Sequence, residues 1–474
     1  MKKINLSILV LLMLVGTYSC NDALDIFPED DIPEENAYTS VPDLVLGMNA
    51  VFANYSPEAN IDFSSILTDD TKVGEDNGGQ RINEHNFLIT ANTFRATQIW
   101  TGNYALINSI NRVIAAAGSI TPQNAAEQAT YDNILGECYA LRAIAHFDLL
   151  SFYSQDYNSA TESVPYIDYV VVLEQPARNT VGEVLTGIQA DITTAQGLID
   201  PSISDVTRIT QDFFTALRAR IALYTGDNGT AITLSQQLMN NYPIANQAQY
   251  ISMFDDEDNT EVIFKADRVV GDPLAGGIWM FSNNGGSFIE VSNELVSIIP
   301  PGDVRNTTIW TNLDATFNAD TQERVNKYPG SGGNRYLNDI KVFRSGEMLL
   351  INAEAKARTT DFGGAATMIQ TLRTARTGSP AALPSYANLN EAMEDILFER
   401  RLELAFEGHR FLDIKRTRDI TGTGIVRSQT LEDCGGASGT FNCDLAANDH
   451  RFTLPVPAAE LDGNASMTQT PGYN

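Results

Sequence analysis

Histidine and cysteine are scarce in this chain, with four of each in 474 residues, and tryptophan occurs three times. His85, His146, His409 and His450 form neither an HExxH nor a His-x-His pair, and no two cysteines stand at zinc-ligand spacing. The residue pattern therefore offers no catalytic metal centre. A Gly-x-Ser-x-Gly elbow, a P-loop and a dinucleotide fingerprint are also missing, so no nucleophile and no cofactor is indicated. Positive charge is in short supply: 31 lysines and arginines face 60 acidic residues, a net charge of −29. Such a surface repels nucleic acid and anionic lipid headgroups and is indifferent to neutral polymers. No apolar run is long enough to span a bilayer.

The one unbroken apolar run, Ile8 to Val15, follows a basic start at Met1–Lys2–Lys3 and precedes Cys20. Its length and flanks are those of a secretory signal. Gly16, Thr17 and Ser19, with an atypical Tyr18, give the approach to Cys20 the form of a bacterial lipobox. Cleavage of residues 1–19, acylation of Cys20 and anchoring in the outer membrane of a Gram-negative cell are expected. Asp22 and Asp25 fit export to the outer face. In that oxidising compartment Cys434 and Cys443 are candidates for a disulfide, which spacing alone leaves open. Cys138 sits in an apolar helical run and reads as core.

At 43% hydrophobic residues the chain has the material for a large core. Apolar periodicity predicts helices near 41–55, 99–118, 124–154, 180–199, 211–225, 229–241, 345–358, 364–377 and 390–407. Ala216 to Met239 and Leu350 to Arg373 share one plan: an alanine-rich helix, a Thr/Asp/Gly turn and a second helix, the logic of tetratricopeptide-type pairs. Between the helices lie looser stretches at 56–98 and 255–340, and strands are predicted at Val262 to Ala266 and Phe452 to Val456. The acidic run Asp255–Asp256–Glu257–Asp258 lacks EF-hand spacing and reads as a solvated turn, with no metal assigned. No linker divides the mature chain, so 20–474 reads as one domain with an N-terminal part to about 300 and a C-terminal part from about 301.

Ile396 to Arg416, ILFERRLELAFEGHRFLDIKR, carries the most information. Phe398, Leu402, Ala405 and Phe406 make an apolar face, while Glu399, Glu403 and Glu407 recur every four residues along another. Three stacked carboxylates repel, and Arg400, Arg401 and Arg410 are the expected counter-ions. Gly408 suits a left-handed helix end. This segment resembles the closing helix of the SusD/RagB family, departing from the common form at Phe411–Leu412. Further blocks resemble the family in the same order: Ile99 to Ile114, Gly136 to Tyr153 (where Arg142 and Asp148 are expected to pair), Pro176 to Ile192, Asp339 to Arg358 and the tail from Phe452, with Asn464 and Pro471–Gly472–Tyr473. The resemblance implies a mainly α fold with tetratricopeptide-like helix pairs, long loops and few strands. It also implies a surface lipoprotein that captures glycans for a SusC-like TonB-dependent transporter.

Family ligand sites sit on loops, which here directs attention to Asp69, Asp70 and Phe87, and to Trp279, Tyr328, Arg335 and Tyr336. Rings offer an apolar face to a pyranose, and Asp, Asn and Arg satisfy its hydroxyls. Trp279, between glycines, and Tyr328, before Pro329–Gly330, are expected to be exposed. Trp100 and Tyr104 are expected in the core. A glycosidase needs two carboxyls flanking one bond; the Glu399/Glu403/Glu407 row would approach a substrate from one side only. A helical-repeat lipoprotein binding peptide, glycopeptide or a protein partner is the alternative reading, with an α-helical glycosidase third.

Overall fold

The computed structural model of the protein describes residues 37–74, 77–275, 279, 287–311, 324–334, 336–435 and 441–473. The 1–19 leader, Cys20 and Arg335 lie outside the described residues. The chain is mainly helical. Its principal helices are α1 (Val41–Asn54), α2 (Glu58–Ile66), α3 (Phe94–Ala117), α4 (Ala125–Tyr153), α5 (Val181–Leu198), α6 (Gln211–Thr225), α7 (Asn228–Asn241), α8 (Gln247–Phe254), α9 (Asn293–Ile298), α10 (Ser345–Arg358), α11 (Phe362–Thr377), α12 (Leu389–Glu403), α13 (Arg410–Thr421) and α14 (Ala458–Gly463). Side-chain caps fix many of the starts: Asn124 accepts from two amides of α4, and Thr180 with Glu183 closes a capping box on α5. Among the described residues, β1 (Thr71–Val73) pairs antiparallel with β3 (Ile289–Val291), and β2 (Val262–Ala266) with β4 (Ile340–Arg344). Phe452 to Val456 is not a strand. Phe452 ends a short 3₁₀ turn, and Leu454 donates to the Phe152 carbonyl instead of to a ladder.

α6–α7 and α10–α11 realise the shared plan. Each turn places one residue in the left-handed region, Gly226 (φ 82°) and Thr360 (φ 65°), and then an aspartate, Asp227 or Asp361, that caps the second helix. Asn352 of α10 donates to the Ser235 hydroxyl (3.0 Å) and the Ile232 carbonyl (3.1 Å) of α7, locking one pair on the other.

The C-terminal half is organised by buried charge. Glu403 lies under Arg376 (2.8 Å) and Arg344 (2.5 Å), with Arg305 at 3.6 Å. Glu399 meets Arg305 (2.8 Å) and Arg373 (2.7 Å), Glu407 meets Arg344 (2.8 Å) and Lys327 (2.5 Å), and Glu261 bridges Arg376 and Arg344. The expected counter-ions serve elsewhere: Arg400 pairs with Asp413, Arg401 with Asp69 and Asp70, and Arg410 with Asp69. The helix also stops at Glu403 rather than at 407. Arg344 and Lys327 bond the Glu403 carbonyl (2.7 and 2.8 Å), and Phe406 and Gly408 turn the chain through the left-handed region. Glu407 therefore reaches the network from a turn, not from the helix face.

Two smaller expectations are also corrected. Arg142 pairs with Asp191 (2.5 Å), while Asp148 accepts from Asn60 (2.9 Å); burial pushes its carboxyl up to about 7. Asp256 (φ 64°) is turned inward onto Lys341 and Asn338 rather than into solvent. Cys138 and Trp100 are buried in the main core, against which Tyr104 packs.

Burial opposes ionisation of Glu403, but Arg376 and Arg344 outweigh it and hold the carboxyl well below its usual range. Removing one member of a buried pair strands the other charge, so Glu403→Gln should lower unfolding free energy by about 3–5 kcal/mol in urea titrations. A loss below about 1 kcal/mol would refute the organising role of the network. Burial likewise opposes ionisation of Glu407, yet Arg344 and Lys327 bring it from 4.5 to about 2. A folded value below the unfolded one adds stability in full above about pH 4.5, lost as pH falls towards 2. Urea midpoints followed across that window should fall, and Glu407→Gln should flatten the decline.

Candidate functional site

The described residues of three chain segments far apart in sequence meet at one face: 67–88 (to 74 and from 77), 287–298 and 426–443 (to 435 and from 441). Each is fixed by the helical framework. Arg410 grips Asp69 with both Nε (2.8 Å) and Nη2 (2.7 Å), and Arg401 holds Asp70 (2.9 Å), the Asp69 carbonyl (2.7 Å) and Glu294 (3.3 Å). Burial opposes Asp69 ionisation, but Arg401 and Arg410 keep it well below the usual carboxylate range; burial pushes neighbouring Asp70 up. Ser292 donates its hydroxyl to the Asp69 carbonyl (2.8 Å), just beyond the β1–β3 ladder.

Among the described residues no carboxylate is within ion-pair distance of Arg427, although Asp69, Asp433 and Asp444 act on it from further off. It is caged by peptide oxygens of Thr68 (3.0 Å), Leu67 (2.9 Å), Ile66 (3.3 Å), His85 (2.6 Å) and Asn442 (3.4 Å), over the Phe87 ring at 4.4 Å. Burial pulls it down to about 9. The third segment is closed by a Cys434–Cys443 disulfide with a Cα separation of 5.2 Å. It ties to the first through Asn442, which donates to Asn86 (2.8 Å), and to the second through Asp433, which accepts from the amides of Asn293 (2.5 Å) and Glu294 (2.9 Å). Beside the clamp lies a cleft of about 320 Å³ bordered by Asp69, Arg410, Glu394, Phe398 and Thr423. It offers one ring, cationic donors and anionic acceptors, a set suited to a hydroxylated ligand.

Of the residues singled out from sequence, Asp69 and Asp70 are brought together, but as the ion-paired root of the loops. Phe87 is buried beneath Arg427. Trp279 and Tyr328 also meet, stacked at 5.8 Å and 22°, with Phe406 edge-on to Trp279 at 5.5 Å. Both are buried, at 0% and 3% exposure, so the expected open rings are core rings. Neighbouring glycines free a backbone; they do not expose a side chain. Tyr336 is half-buried at φ 64°. Sequence reasoning passed over Arg427, whose surroundings carry no motif, and Phe94, the most exposed large ring among the described residues. Among the described residues no group of three or more His, Cys, Asp and Glu side chains is placed to hold a metal ion, and no helix is long and apolar enough to cross a membrane.

Residues 217–473 match the model of the SusD family, and residues 24–223 match one described as starch-binding associating with outer membrane. SusD-like protein P2 of Formosa agariphila is 24% identical across 100% of both chains. A SusD superfamily protein from Bacteroides thetaiotaomicron has a TM-score of 0.77 at 20% identity, covering 91% of this chain and 100% of that one. Surface glycan-binding protein A from the same organism, solved in complex with laminarihexaose, has a TM-score of 0.69 at 18% identity over 91% of this chain and 100% of its own. These likenesses match the mainly α architecture described above.

Because Arg427 reaches the peptide oxygens of Ile66, Leu67, Thr68 and His85 from the third segment, Arg427→Ala should leave several buried carbonyls unpaired and cost about 3 kcal/mol. Limited proteolysis should then cut first within 67–88. An unchanged cleavage pattern would mean that the cage does not hold the loops.

Proposed function

The chain belongs to the SusD family, and from that premise we propose that it is a non-catalytic lipoprotein of the outer membrane, tethered through Cys20. It holds an oligosaccharide or polysaccharide on the loop face and passes it to a SusC-like TonB-dependent transporter. The observation that carries this reading is the anchoring of the first two segments on Arg401 and Arg410 of the helical frame, with the third tied to them through Arg427, Asn442 and Asp433. A pre-positioned loop platform is what recognition without chemistry requires. The carboxylates that most invite a catalytic reading argue the same way. Arginines hold Glu403, Glu407 and Asp69 low, so none retains a proton for a leaving group. The family's association with the outer membrane, and the laminarihexaose bound by a structural neighbour, support the compartment and the ligand class.

Isothermal titration of the mature protein against soluble β-glucans, α-glucans, mannans and xylans tests the reading. At least one should bind with a Kd in the micromolar to millimolar range, and released reducing ends should stay at background. Silence across the panel defeats glycan capture, and steady release of reducing ends defeats the non-catalytic assignment. In cells, radiolabelled palmitate should enter the wild type and not Cys20→Ser.

A further inference from the structure

A second cleft, of about 380 Å³, lies between α3, the 165–176 segment and α14 and shares no lining residue with the first. Trp100, Tyr104, Ile167 and Val171 form its apolar wall, and Glu174 and Glu460 carry the charge at its edge. Its lip is unusual: Val172 and Leu173 are 68% and 89% exposed, and Tyr169 is 41% exposed. This lip is fastened from behind. Asn111 donates to the Tyr169 carbonyl (2.8 Å), Asn108 accepts from the Val171 amide (3.0 Å), His146 accepts from the Ile167 amide (3.0 Å), and Glu174 accepts from the amides of Val172 (2.7 Å) and Leu173 (3.1 Å). Burial keeps His146 at about 3, so this support is unchanged at neutral pH. The opposite wall is braced as well, by Gln175 on the Gly463 carbonyl (3.1 Å) and Asn464 on the Pro176 carbonyl (2.9 Å). A frame spent on holding apolar side chains out in water marks a contact surface whose ordering cost is already met.

The chemistry narrows the occupant. A sugar is poorly served: Trp100 is almost fully covered with its indole N–H on Glu460 (3.3 Å), and the Tyr104 hydroxyl donates to the Pro165 carbonyl (2.8 Å). An anionic membrane surface is disfavoured by the acidic edge and by exposed Asp168 and Asp462 on the same segments. We propose that this lip and cleft form a protein-docking surface for a partner segment carrying an apolar side chain flanked by lysine or arginine. The segment belongs to the transporter; that last assignment rests on the function proposed above. Leu173 and Val172 are the anchors, and Glu174 and Glu460 face the basic flanks.

The test uses the full-length lipoprotein expressed in its own cells with a photo-crosslinking benzoyl-phenylalanine at position 173, and a control at exposed Leu383. Position 173, and not 383, should capture a segment with an apolar residue beside lysine or arginine, identified by mass spectrometry. Val172→Ser combined with Leu173→Asp, both solvent-facing and harmless to folding, should reduce co-purified β-barrel protein at least tenfold. A barrel that co-purifies equally with wild type and variant overturns the docking surface and leaves the transporter partnership standing. Capture of a segment of any other protein, with no barrel recovered, overturns the docking surface as proposed and the partnership with it. Crosslinks to lipid, to a second copy of this chain or to nothing at all overturn the proposal.

Discussion

The buried guanidinium and carboxylate groups around Glu403 are the constraint on which the rest of the structure depends. Glu261, Asp303, Glu399, Glu403 and Glu407 face Arg305, Lys327, Arg344, Arg373 and Arg376. A charge taken out of water is tolerated only when its partners are in place. These partners are scattered along the chain: Glu261 just before β2, Asp303 and Arg305 after α9, Lys327 ahead of β4, Arg344 at its end, Arg373 and Arg376 on α11, Glu399 and Glu403 on α12, and Glu407 in the turn that follows. The region must therefore be assembled together, and partial assembly strands charge. Such a network buys specificity of arrangement more than stability.

The segment from Glu399 to Arg410 does two jobs by alternating sign. Its glutamates turn inward to the scaffold, while Arg401 and Arg410 reach Asp69 and Asp70 at the root of the loops. Arg400 closes on Asp413, which Arg416 also holds, and Arg416 continues to Glu354 in α10. One stretch of chain thus fixes both the helical frame and the position of the loop face.

Much of this was legible in the sequence and some was not, for identifiable reasons. Helices such as 125–153 and 181–198 carry their own periodicity and caps, so local pattern suffices. The two helix–turn–helix units were visible because small residues and the Thr/Asp turn recur in both. Counter-ions are another matter: a helical wheel names the nearest arginines, yet Glu403 is neutralised by Arg376 and Arg344, 27 and 59 residues away. The same limit explains Trp279 and Tyr328. A ring between glycines looks free in one dimension, but burying an aromatic is worth several times any local backbone preference. Arg427 left no trace because its partners are carbonyls, which every residue possesses.

The two surfaces differ in how they are built, and the difference bears on how a receptor of this kind would work. The loop face hangs on α12 and α13 through ion pairs; the Trp100 cleft rests on α3, α4 and α14 through packing and hydrogen bonds, with no ion pair among those that brace it. They are joined where Lys415 of α13 donates to the carbonyls of Ser151 (2.7 Å) and Ser154 (2.6 Å) at the end of α4. Burial pulls that lysine down to about 7, yet both its contacts are to carbonyl oxygens that a neutral amine also satisfies, so the joint does not depend on its charge. A ligand shifts a distant contact only by as much as it favours one of two arrangements. On the function proposed above, this joint therefore supplies no change of charge by which capture on one face would bias docking on the other.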